Sequence, residues 1–346
     1  MEDNLLLSVR NLKTYFHLRE GIVKAVDNVS FDLKRGEVLG IVGESGCGKS
    51  VTARSILRMV KKPGKTEGEI LFYGTGNGTP VNLVDLDPAG KEIRTIRGEK
   101  INMVFQEPMN AFSPVHTIGD QIMEAILLHK DMSKKEAREL TVKLLADVGI
   151  SNPEQRVDEY PFQLSGGMRQ RAMIAMAISC QPQILLADEP TTALDVSVQA
   201  QILRLLKDLQ QKSGMSIIFI THNLAVVAQM ANRVIVMYLG QVMEEADVRE
   251  IFYNPLHPYT KRLLESILDL SKNEHRKRLK TIEGSVPEPM NLSQYCVFFD
   301  RCQGAVKKEC REGIPPLVEV KEGHKVRCFQ YTNNEWTAGK GEQRNA

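Results

Sequence analysis

The sequence predicts an α/β protein in which a parallel sheet carries a phosphate-binding loop and a helical segment is inserted between the strands. Three observations predict this class. Short apolar runs suit strands buried on both faces of a parallel sheet. Most of 116–160 has helical periodicity. The run GESGCGKS follows one of the apolar runs directly and precedes a predicted helix. The apolar runs are 38–42, 184–188, 217–220 and 234–238.

The other elements follow in chain order. Residues 5–42 are predicted to form strands joined by turns, because apolar residues recur there at short spacing. Residues 61–100 are rich in Gly, Pro and Asp and are expected at the surface. Residues 284–330 have little periodicity and are expected to be irregular. The remaining predicted elements are helices at 50–60, 195–212, 223–231 and 260–270 and strands at 69–73 and 101–105.

Composition and charge are those of an ordinary soluble globular protein. The chain has 346 residues, with 42% apolar and 25% charged, which allows two or three domains. The net charge of +2 is too small to indicate a nucleic acid or an acidic membrane surface as partner. No apolar run approaches the ~18 residues of a membrane span. The N-terminus lacks the layout of a signal peptide, so we expect a cytosolic location.

The loop GESGCGKS fits the phosphate-loop pattern G-x-x-x-x-G-K-[ST]. Its glycines let backbone N–H groups converge on phosphates, Lys49 would reach the β- and γ-phosphates, and the Ser50 hydroxyl could ligate Mg²⁺. The alternative is a glycine-rich turn before a helix, and the flanking strand and helix disfavour it. The predicted ATP-binding residues here are Gly43, Glu44, Ser45, Gly46, Cys47, Gly48, Lys49, Ser50 and Val51.

A hydrophobic strand at 184–188 ends in two neighbouring carboxylates. Asp188 at the strand tip can hold Mg²⁺ through water. Glu189 is then placed to polarise the attacking water as a general base. The alternative is a pair of solvated acids at a strand end. The phosphate loop favours the catalytic interpretation, because Mg-ATP needs such a partner.

A second anion cradle is predicted at 164–171, LSGGMRQR. Two adjacent glycines follow Ser165 and open a run that is compatible with a helix. This arrangement offers a hydroxyl, free backbone N–H groups and a helix dipole to one anion. One nucleotide needs one such cradle, so a chain with two requires an explanation.

Together these motifs resemble those of ABC transporter ATPases. GESGCGKS, LSGGMRQR, ILLADEP, Ala193-Leu-Asp195 and Thr221-His222 stand in that family's order, and the match covers about 5–245. The resemblance implies a P-loop ATPase fold of the ABC type with an antiparallel β subdomain and an inserted helical subdomain. It also implies two domains that sandwich two ATP molecules head to tail, the phosphate loop of one facing LSGGM of the other. That arrangement explains the two cradles.

The same resemblance implies further roles at the site. Gln106 would contact Mg²⁺ together with Ser50 and Asp188, and it would contact the attacking water. His222 would hold the γ-phosphate and orient Glu189. The alternative interpretation is that His222 is an ordinary core histidine at a strand end. The residues expected to contact ATP in trans, across the dimer interface, are Ser165, Gly166, Gly167 and Asp195.

An aromatic side chain is expected to stack on adenine. Phe16 fits the position that this aromatic has in the family, and Tyr15 is the competing candidate. Either one could instead be an ordinary core aromatic.

Four of the six cysteines fall near the C-terminus, at Cys296, Cys302, Cys310 and Cys328. Disulfides are not expected in a reducing cytosol, and four thiolates suit a tetrahedral metal or an iron–sulfur cluster. The C-x2-4-C pair that begins most zinc sites is absent from this spacing. With NPLHPYT before it, the pattern resembles the C-terminal extension of peptide-permease ATPases, which implies a 4Fe-4S cluster. The alternative is four unconnected reduced cysteines.

The resemblance therefore implies an organisation and a function. An ABC ATPase domain is expected at 1–250, with its helical subdomain at about 107–165, followed by the extension at 251–335 and a tail at 336–346. The expected function is ATP hydrolysis, with Mg²⁺, that powers import of dipeptides or oligopeptides. A nickel importer of the same family and a soluble ABC ATPase outside transport are the alternatives.

The expected partners follow from that function. They are a second ABC ATPase subunit, two transmembrane permease subunits and, indirectly, an extracytoplasmic peptide-binding protein. A related chain is favoured as the second ATPase, and a homodimer is the alternative. Nucleic acid is not expected as a partner. The chain would lie peripherally on the cytoplasmic face of the cell membrane.

Overall fold

The computed structural model of the chain describes residues 4–76, 78–107, 111–192, 194–266, 284–292, 294–304 and 308–332. Ala193 of the predicted triplet and the predicted tail at 336–346 lie outside the described residues.

The secondary structure alternates strands and helices after an N-terminal strand pair. The strands are β1 (Leu5–His17), β2 (Ile22–Lys34), β3 (Val38–Val42), β4 (Gly64–Phe72), β5 (Val81–Asn82), β6 (Ile101–Val104), β7 (Ile184–Asp188), β8 (Ser216–Thr221), β9 (Arg233–Tyr238), β10 (Gln241–Asp247), β11 (Val318–Lys321) and β12 (His324–Val326). The α-helices are α1 (Lys49–Ile56), α2 (Lys91–Ile96), α3 (Ile118–His129), α4 (Lys134–Asp147), α5 (Pro153–Arg156), α6 (Gly166–Ile178), α7 (Val196–Ser213), α8 (Leu224–Met230), α9 (Val248–Tyr253), α10 (Pro258–Glu265) and α11 (Glu309–Glu312).

The strands form two sheets. The smaller is antiparallel where its pairing is described, in the order β2-β1-β4-β5. The larger has the order β11-β12-β10-β9-β3-β8-β7-β6. Its neighbours from β9 through β3, β8 and β7 to β6 are parallel, and its other end is antiparallel. Every residue of β3 and β7 is buried, as the unbroken apolar runs predict.

The phosphate loop lies between β3 and α1. The structure ends α1 at Ile56, earlier than the predicted 50–60, and Arg58 adopts a left-handed backbone with φ 54°. Helical φ is negative, so the helix cannot continue through Arg58. Since β3 is in the centre of the large sheet, the loop faces the carboxyl ends of its parallel neighbours, where α/β proteins bind ligands.

The inserted helices share a core with one face of the large sheet. Buried residues of α3 and α4 pack with α6 and with β7 and β8 in one apolar cluster that includes Ile122, Leu145, Ala175, Leu185 and Phe219. Ser133 and Glu136 form a reciprocal capping box at the start of α4, which satisfies backbone N–H groups there. This packing fixes the start of α6, and therefore LSGGM, relative to the sheet.

The C-terminal extension is more regular than its sequence predicts. β12 pairs antiparallel with β10 and with β11, so the extension adds two strands at one edge of the large sheet. These strands are only four and three residues long and rich in charge, so their sequence carries little strand signal. Pairing of β12 with the buried strand β10, and of β11 with β12, stabilises them in the folded chain. Among the described residues, no helix is both long and apolar enough to cross a lipid bilayer.

Candidate active site

The phosphate loop is shaped by close backbone packing. Gly48 has φ +99°, and a Cβ atom there would lie 2.1 Å from the carbonyl oxygen of Ala25, so a side chain cannot fit. Lys49 is 5% exposed, and its ammonium donates to the carbonyl oxygens of Gly43 at 2.8 Å and Glu44 at 2.9 Å. The ammonium is thereby held at the start of the loop, and α1 begins directly after Gly48. A helix N-terminus with such a loop suits an anionic phosphate.

The hydroxyl of Ser50 donates a hydrogen bond of 2.8 Å to Oδ1 of Asp188 at the end of β7. Burial raises the pKa of Asp188, and the Ser50 hydrogen bond and the charges of Arg54 and Lys49 partly offset this. A hydroxyl and a carboxylate oxygen that converge in a buried place are ligands that Mg²⁺ accepts. These two residues therefore fit the predicted magnesium site.

Glu189 is held by three side chains. Its Oε2 accepts hydrogen bonds from Gln106 at 3.1 Å and from Thr192 at 2.8 Å, and its Oε1 lies 3.1 Å from Nδ1 of His222. Burial alone would raise the pKa of Glu189, but the His222 and Thr192 hydrogen bonds and the charges of His222 and Lys49 lower it overall. The carboxylate is thus ionised at neutral pH. An ionised carboxylate in a fixed orientation is suited to accept a proton from water.

Three of these side chains come from the ends of parallel strands. Gln106 follows β6, Glu189 follows β7 and His222 follows β8, and these strands are sheet neighbours. The structure therefore brings Glu189, predicted as the base from its place after the strand, together with the two residues that the resemblance assigned to catalysis. The sequence prediction missed Thr192, although a hydroxyl residue three positions after a candidate base is a usable signal.

LSGGM begins helix α6. The hydroxyl of Ser165 accepts a hydrogen bond from the backbone N–H of Met168 at 3.3 Å, so Ser165 caps the helix. A Cβ atom on Gly166 would meet no atom of the described chain within 4 Å, whereas one on Gly167 would lie 3.1 Å from Val198. Intrachain packing therefore explains the second glycine better than the first.

Asp195 caps helix α7. Its Oδ1 accepts from the backbone N–H of Val198 at 2.9 Å and from the Ser197 hydroxyl at 2.8 Å. These hydrogen bonds lower the pKa of Asp195. The side chain is exposed, so it is accessible to a second molecule while it caps the helix.

The two candidate adenine contacts have different surroundings. The hydroxyl of Tyr15 donates a short hydrogen bond to Asp27, and burial together with Asp27 raises the pKa of Tyr15. The ring of Phe16 lies against the paired strand, where a Cβ atom on Gly64 would be 2.8 Å from its Cε1. Adjacent residues of a strand point to opposite faces. The Tyr15 side chain is therefore held by Asp27 on one face of the strand, and Phe16 lies on the other face. This arrangement favours Phe16 as the adenine contact.

The structure places the C-terminal cysteines near one another. The Cys296 N–H donates to the Cys310 carbonyl at 3.2 Å, and none of the six cysteines, all of which lie within the described residues, takes part in a disulfide. Burial raises the pKa of Cys296 to about 12, and the charges of Cys310, Cys328 and Cys302 add to that effect. Within the described ranges, no group of three or more His, Cys, Asp or Glu side chains could hold a metal ion. This arrangement does not support the predicted iron–sulfur cluster.

The extension contacts the phosphate loop directly, which the sequence did not predict. Arg301 forms an ion pair of 2.7 Å with Glu44. The backbone N–H of Glu44 donates to the Tyr259 hydroxyl at 3.0 Å. Arg301 and Glu44 are 257 positions apart, and no local pattern links them.

Comparison with known proteins defines the family. A family model described as ABC transporter matches residues 26–192, and one described as oligopeptide/dipeptide transporter, C-terminal region, matches residues 243–310. The oligopeptide transport ATP-binding protein AppD of Bacillus subtilis is 50% identical over 329 residues, covering 94% of this chain and 97% of the relative. The chain belongs to the ABC transporter family.

A second relative and a solved structure support the same family assignment. The dipeptide transport ATP-binding protein DppD of Haemophilus influenzae is 44% identical over 330 residues, covering 95% of this chain and 97% of DppD. A solved structure of a dimeric ATP-binding cassette, in a post-hydrolysis state with ADP and Pi, matches with a TM-score of 0.62 and 30% identity. It covers 70% of this chain and 99% of that cassette. The predicted ABC ATPase fold is confirmed, and the chain is an ABC-type ATPase.

Proposed function

We propose that this ABC ATPase hydrolyses ATP to power the import of dipeptides or oligopeptides through a membrane transporter. The observation that carries the hydrolytic part is the carboxylate of Glu189, held between Gln106, Thr192 and His222 beside the Ser50–Asp188 pair. The match of the oligopeptide/dipeptide transporter C-terminal region, and the relatives named for peptide transport, support the peptide part.

In this proposal Glu189 is the general base. It takes a proton from the attacking water, and His222 holds the carboxylate and contacts the γ-phosphate. Gln106 donates to the other carboxylate oxygen of Glu189, and it would contact the same water. Mg²⁺, which Ser50, Asp188 and Gln106 would hold, neutralises phosphate charge when it is bound. Lys49 and the backbone amides of the loop hold the phosphates in place, and Phe16 stacks on the adenine.

Each ATP is proposed to lie between two ATPase subunits. Ser165, Gly166 and Gly167 of one subunit would close on the γ-phosphate bound to the phosphate loop of the other, with Asp195 at the interface. The open space around Gly166 supports this, because it leaves room for a partner or ligand. ATP would favour the closed state because its γ-phosphate contacts both subunits, and ADP lacks that group. Hydrolysis would then reopen the dimer.

The partners and location follow from this mechanism. Two transmembrane permease subunits would receive the motion of the helical subdomains, and an extracytoplasmic binding protein would deliver the peptide. The second ATPase is proposed to be a related chain, with a homodimer as the alternative. The chain would lie peripherally on the cytoplasmic face of the membrane. The dimeric state of the similar solved cassette supports the pairing of two ATPases.

The iron–sulfur cluster stays a separate prediction. Its support is the position of Cys296 beside Cys310, whose carbonyl accepts the Cys296 N–H at 3.2 Å, together with the four cysteines of the extension. The lack of a metal-holding group within the described ranges opposes it. Anaerobic purification followed by iron and labile-sulfide assays tests whether the chain holds the cluster. A colourless protein with stoichiometric zinc, or with no metal, would rule the cluster out.

The function is tested by isolating the tagged chain from membranes and identifying its partners. We expect two apolar permease subunits and a second ABC ATPase. In liposomes that contain the complex and its binding protein, peptides should stimulate ATP hydrolysis. Stimulation by Ni²⁺ and not by peptides would indicate a nickel importer. Recovery of ATPase activity without any membrane subunit would indicate a soluble ABC ATPase.

A further inference from the structure

The side chain of Glu44 in the phosphate loop is held from the C-terminal extension. Nη1 of Arg301 donates to Oε2 of Glu44 at 2.7 Å, and Nη2 donates to Oε1 at 3.0 Å. The Arg301 side chain is 6% exposed and that of Glu44 is 23% exposed. A two-pronged guanidinium–carboxylate contact with little solvent access is stronger and more directional than a surface ion pair.

The backbone of Glu44 is held from the same side. Its N–H donates to the hydroxyl of Tyr259 at 3.0 Å, and Tyr259 is fully buried. The Tyr259 ring packs against Tyr238 and Phe298, with centroid distances of 4.8 and 5.3 Å. Arg301 also donates to the Tyr238 hydroxyl at 3.3 Å. Glu44 is thus fixed at two points by a rigid aromatic cluster and one arginine.

Arg301 comes from a single turn that two cysteines bracket. In this turn the N–H of Phe299 donates to the carbonyl oxygen of Cys296 at 2.9 Å. The N–H of Cys302 donates to the carbonyl oxygen of Phe299 at 3.1 Å. The turn therefore sets the place of the guanidinium relative to the loop. This contact joins the extension to the part of the cassette that touches nucleotide.

Glu44 lies next to the loop amides that would bind a triphosphate. An unpaired carboxylate there would repel the phosphates, and partial burial of Glu44 reduces the screening of that repulsion by water. Paired with Arg301, the same side chain is neutralised and its backbone is kept in the loop conformation. Neither effect needs Arg301 to touch the nucleotide.

We propose that Arg301 is a positioning residue for ATP binding: it neutralises Glu44 and fixes the phosphate loop from the C-terminal extension. This rests on the assignment of residues 43–50 as the phosphate loop of the proposed function. Since the contact exists before any chemistry, it should act on ATP binding and less on the catalytic step.

The test compares ATP affinity, KM and kcat for the full chain and three variants. Arg301→Met should weaken ATP binding about tenfold or more and raise KM, with kcat within about twofold of the original, since hydrogen bonds between charged groups are among the stronger ones. The ATP affinity of Arg301→Lys should lie between those of the original chain and Arg301→Met, because a lysine keeps the charge but not the two-pronged geometry. The double variant Arg301→Met, Glu44→Gln no longer has the unpaired carboxylate. Its ATP affinity should therefore recover at least half of the loss seen in Arg301→Met, on a logarithmic scale.

Two controls separate this role from support of the fold. Arg311 lies in the same extension, over the ring of Phe299 at 5.0 Å, and Arg311→Met should leave ATP affinity unchanged. Thermal unfolding shows whether each variant is folded. Normal ATP affinity in folded Arg301→Met would overturn the proposal. A double variant that binds as weakly as Arg301→Met would also overturn it, because the electrostatic link to Glu44 would be absent.

If Arg301→Met does not fold, Arg301→Lys decides, and an unchanged KM for ATP would overturn the proposal. Failure of the underlying assignment has a different signature. Lys49→Ala should abolish ATP binding whatever the state of Arg301. Normal binding in Lys49→Ala would refute the phosphate loop itself, whereas loss of binding there with normal Arg301 variants would refute only the role of Arg301.

Discussion

The Nδ1 atom of His222 lies 3.1 Å from Oε1 of Glu189, although the two residues follow different strands, β8 and β7. The other carboxylate oxygen is occupied by Gln106 and Thr192. The side chain of Glu189 is 12% exposed and that of His222 is 58% exposed. The carboxylate is therefore fixed and shielded, while the histidine that holds it faces solvent, where a γ-phosphate could reach it.

Thr192→Val should move the acidic limb of the kcat–pH profile to higher pH. The Thr192 hydroxyl stabilises the charged form of Glu189 and helps to lower its pKa. Without that bond the pKa of Glu189 rises, so the base is protonated earlier as pH falls. The profile is measured by steady-state ATPase assays. Thr95→Val, on the surface of α2, is the control and should leave the profile unchanged, and an unmoved limb in Thr192→Val would contradict the role of Thr192.

Asp188→Asn should raise the Mg²⁺ concentration for half-maximal activity by roughly 10- to 100-fold, the usual effect of losing a group that orients a metal. Asp188 is buried and hydrogen-bonded to Ser50 at the predicted magnesium site. Activity is titrated with Mg²⁺ at fixed ATP. Asp208→Asn, on the exposed side of α7, should behave as the original chain. An identical Mg²⁺ titration for Asp188→Asn would remove Asp188 from the site.

Ser165→Arg should leave ATP binding largely intact and abolish cooperative hydrolysis. Ser165 is an exposed residue that caps α6, so in the proposed head-to-tail pair the added side chain would obstruct the phosphate loop of the facing subunit. ATP binding and the Hill coefficient of hydrolysis are measured on the assembled ATPase pair. Ser133→Arg removes a comparable cap from α4 and controls for lost stability. Retained cooperativity in Ser165→Arg would argue against shared sites.

Glu244→Gln should lower the free energy of unfolding by about 1–3 kcal/mol at neutral pH, since it weakens hydrogen bonds to a buried charged group. Glu244 is buried in β10 and accepts from the backbone of Leu256 and His257, at 2.7 and 2.9 Å, and pairs with His324 at 2.7 Å. These contacts join the extension to the cassette. Denaturant unfolding measures the loss, and Glu322→Gln on the surface is the control.

The pH dependence of this effect has a definite sign. Burial alone would raise the pKa of Glu244, but bonds from His324 and the Leu256 and His257 amides lower it overall. A group with a lowered pKa stabilises the folded state above its unfolded pKa, and that stability is lost as pH falls through the folded value. The difference between the original chain and Glu244→Gln should therefore shrink as the solution is acidified below the ordinary glutamate range. A difference that grows on acidification would contradict this.

Much of the cassette could be predicted from the sequence because its signals are local. The loop at 43–50 stands between a buried strand and a helix, and the apolar run of β7 leads into Asp188 and Glu189. The extension could not be predicted in this way. β11 and β12 are short and charged, and they depend on the pairing of β12 with β10 and of β11 with β12. The pairing of Arg301 with Glu44 joins positions that only the folded chain brings together.

The most direct test of the central claim is the turnover of Glu189→Gln. The change keeps the size of the side chain and leaves an amide oxygen that can accept hydrogen bonds, but it removes the proposed base. ATP binding should remain, and kcat should fall by ~10²-fold or more, the usual size for losing a general base. Glu139→Gln, exposed on α4, is the matched control and should turn over normally. Near-normal turnover in Glu189→Gln would contradict the account.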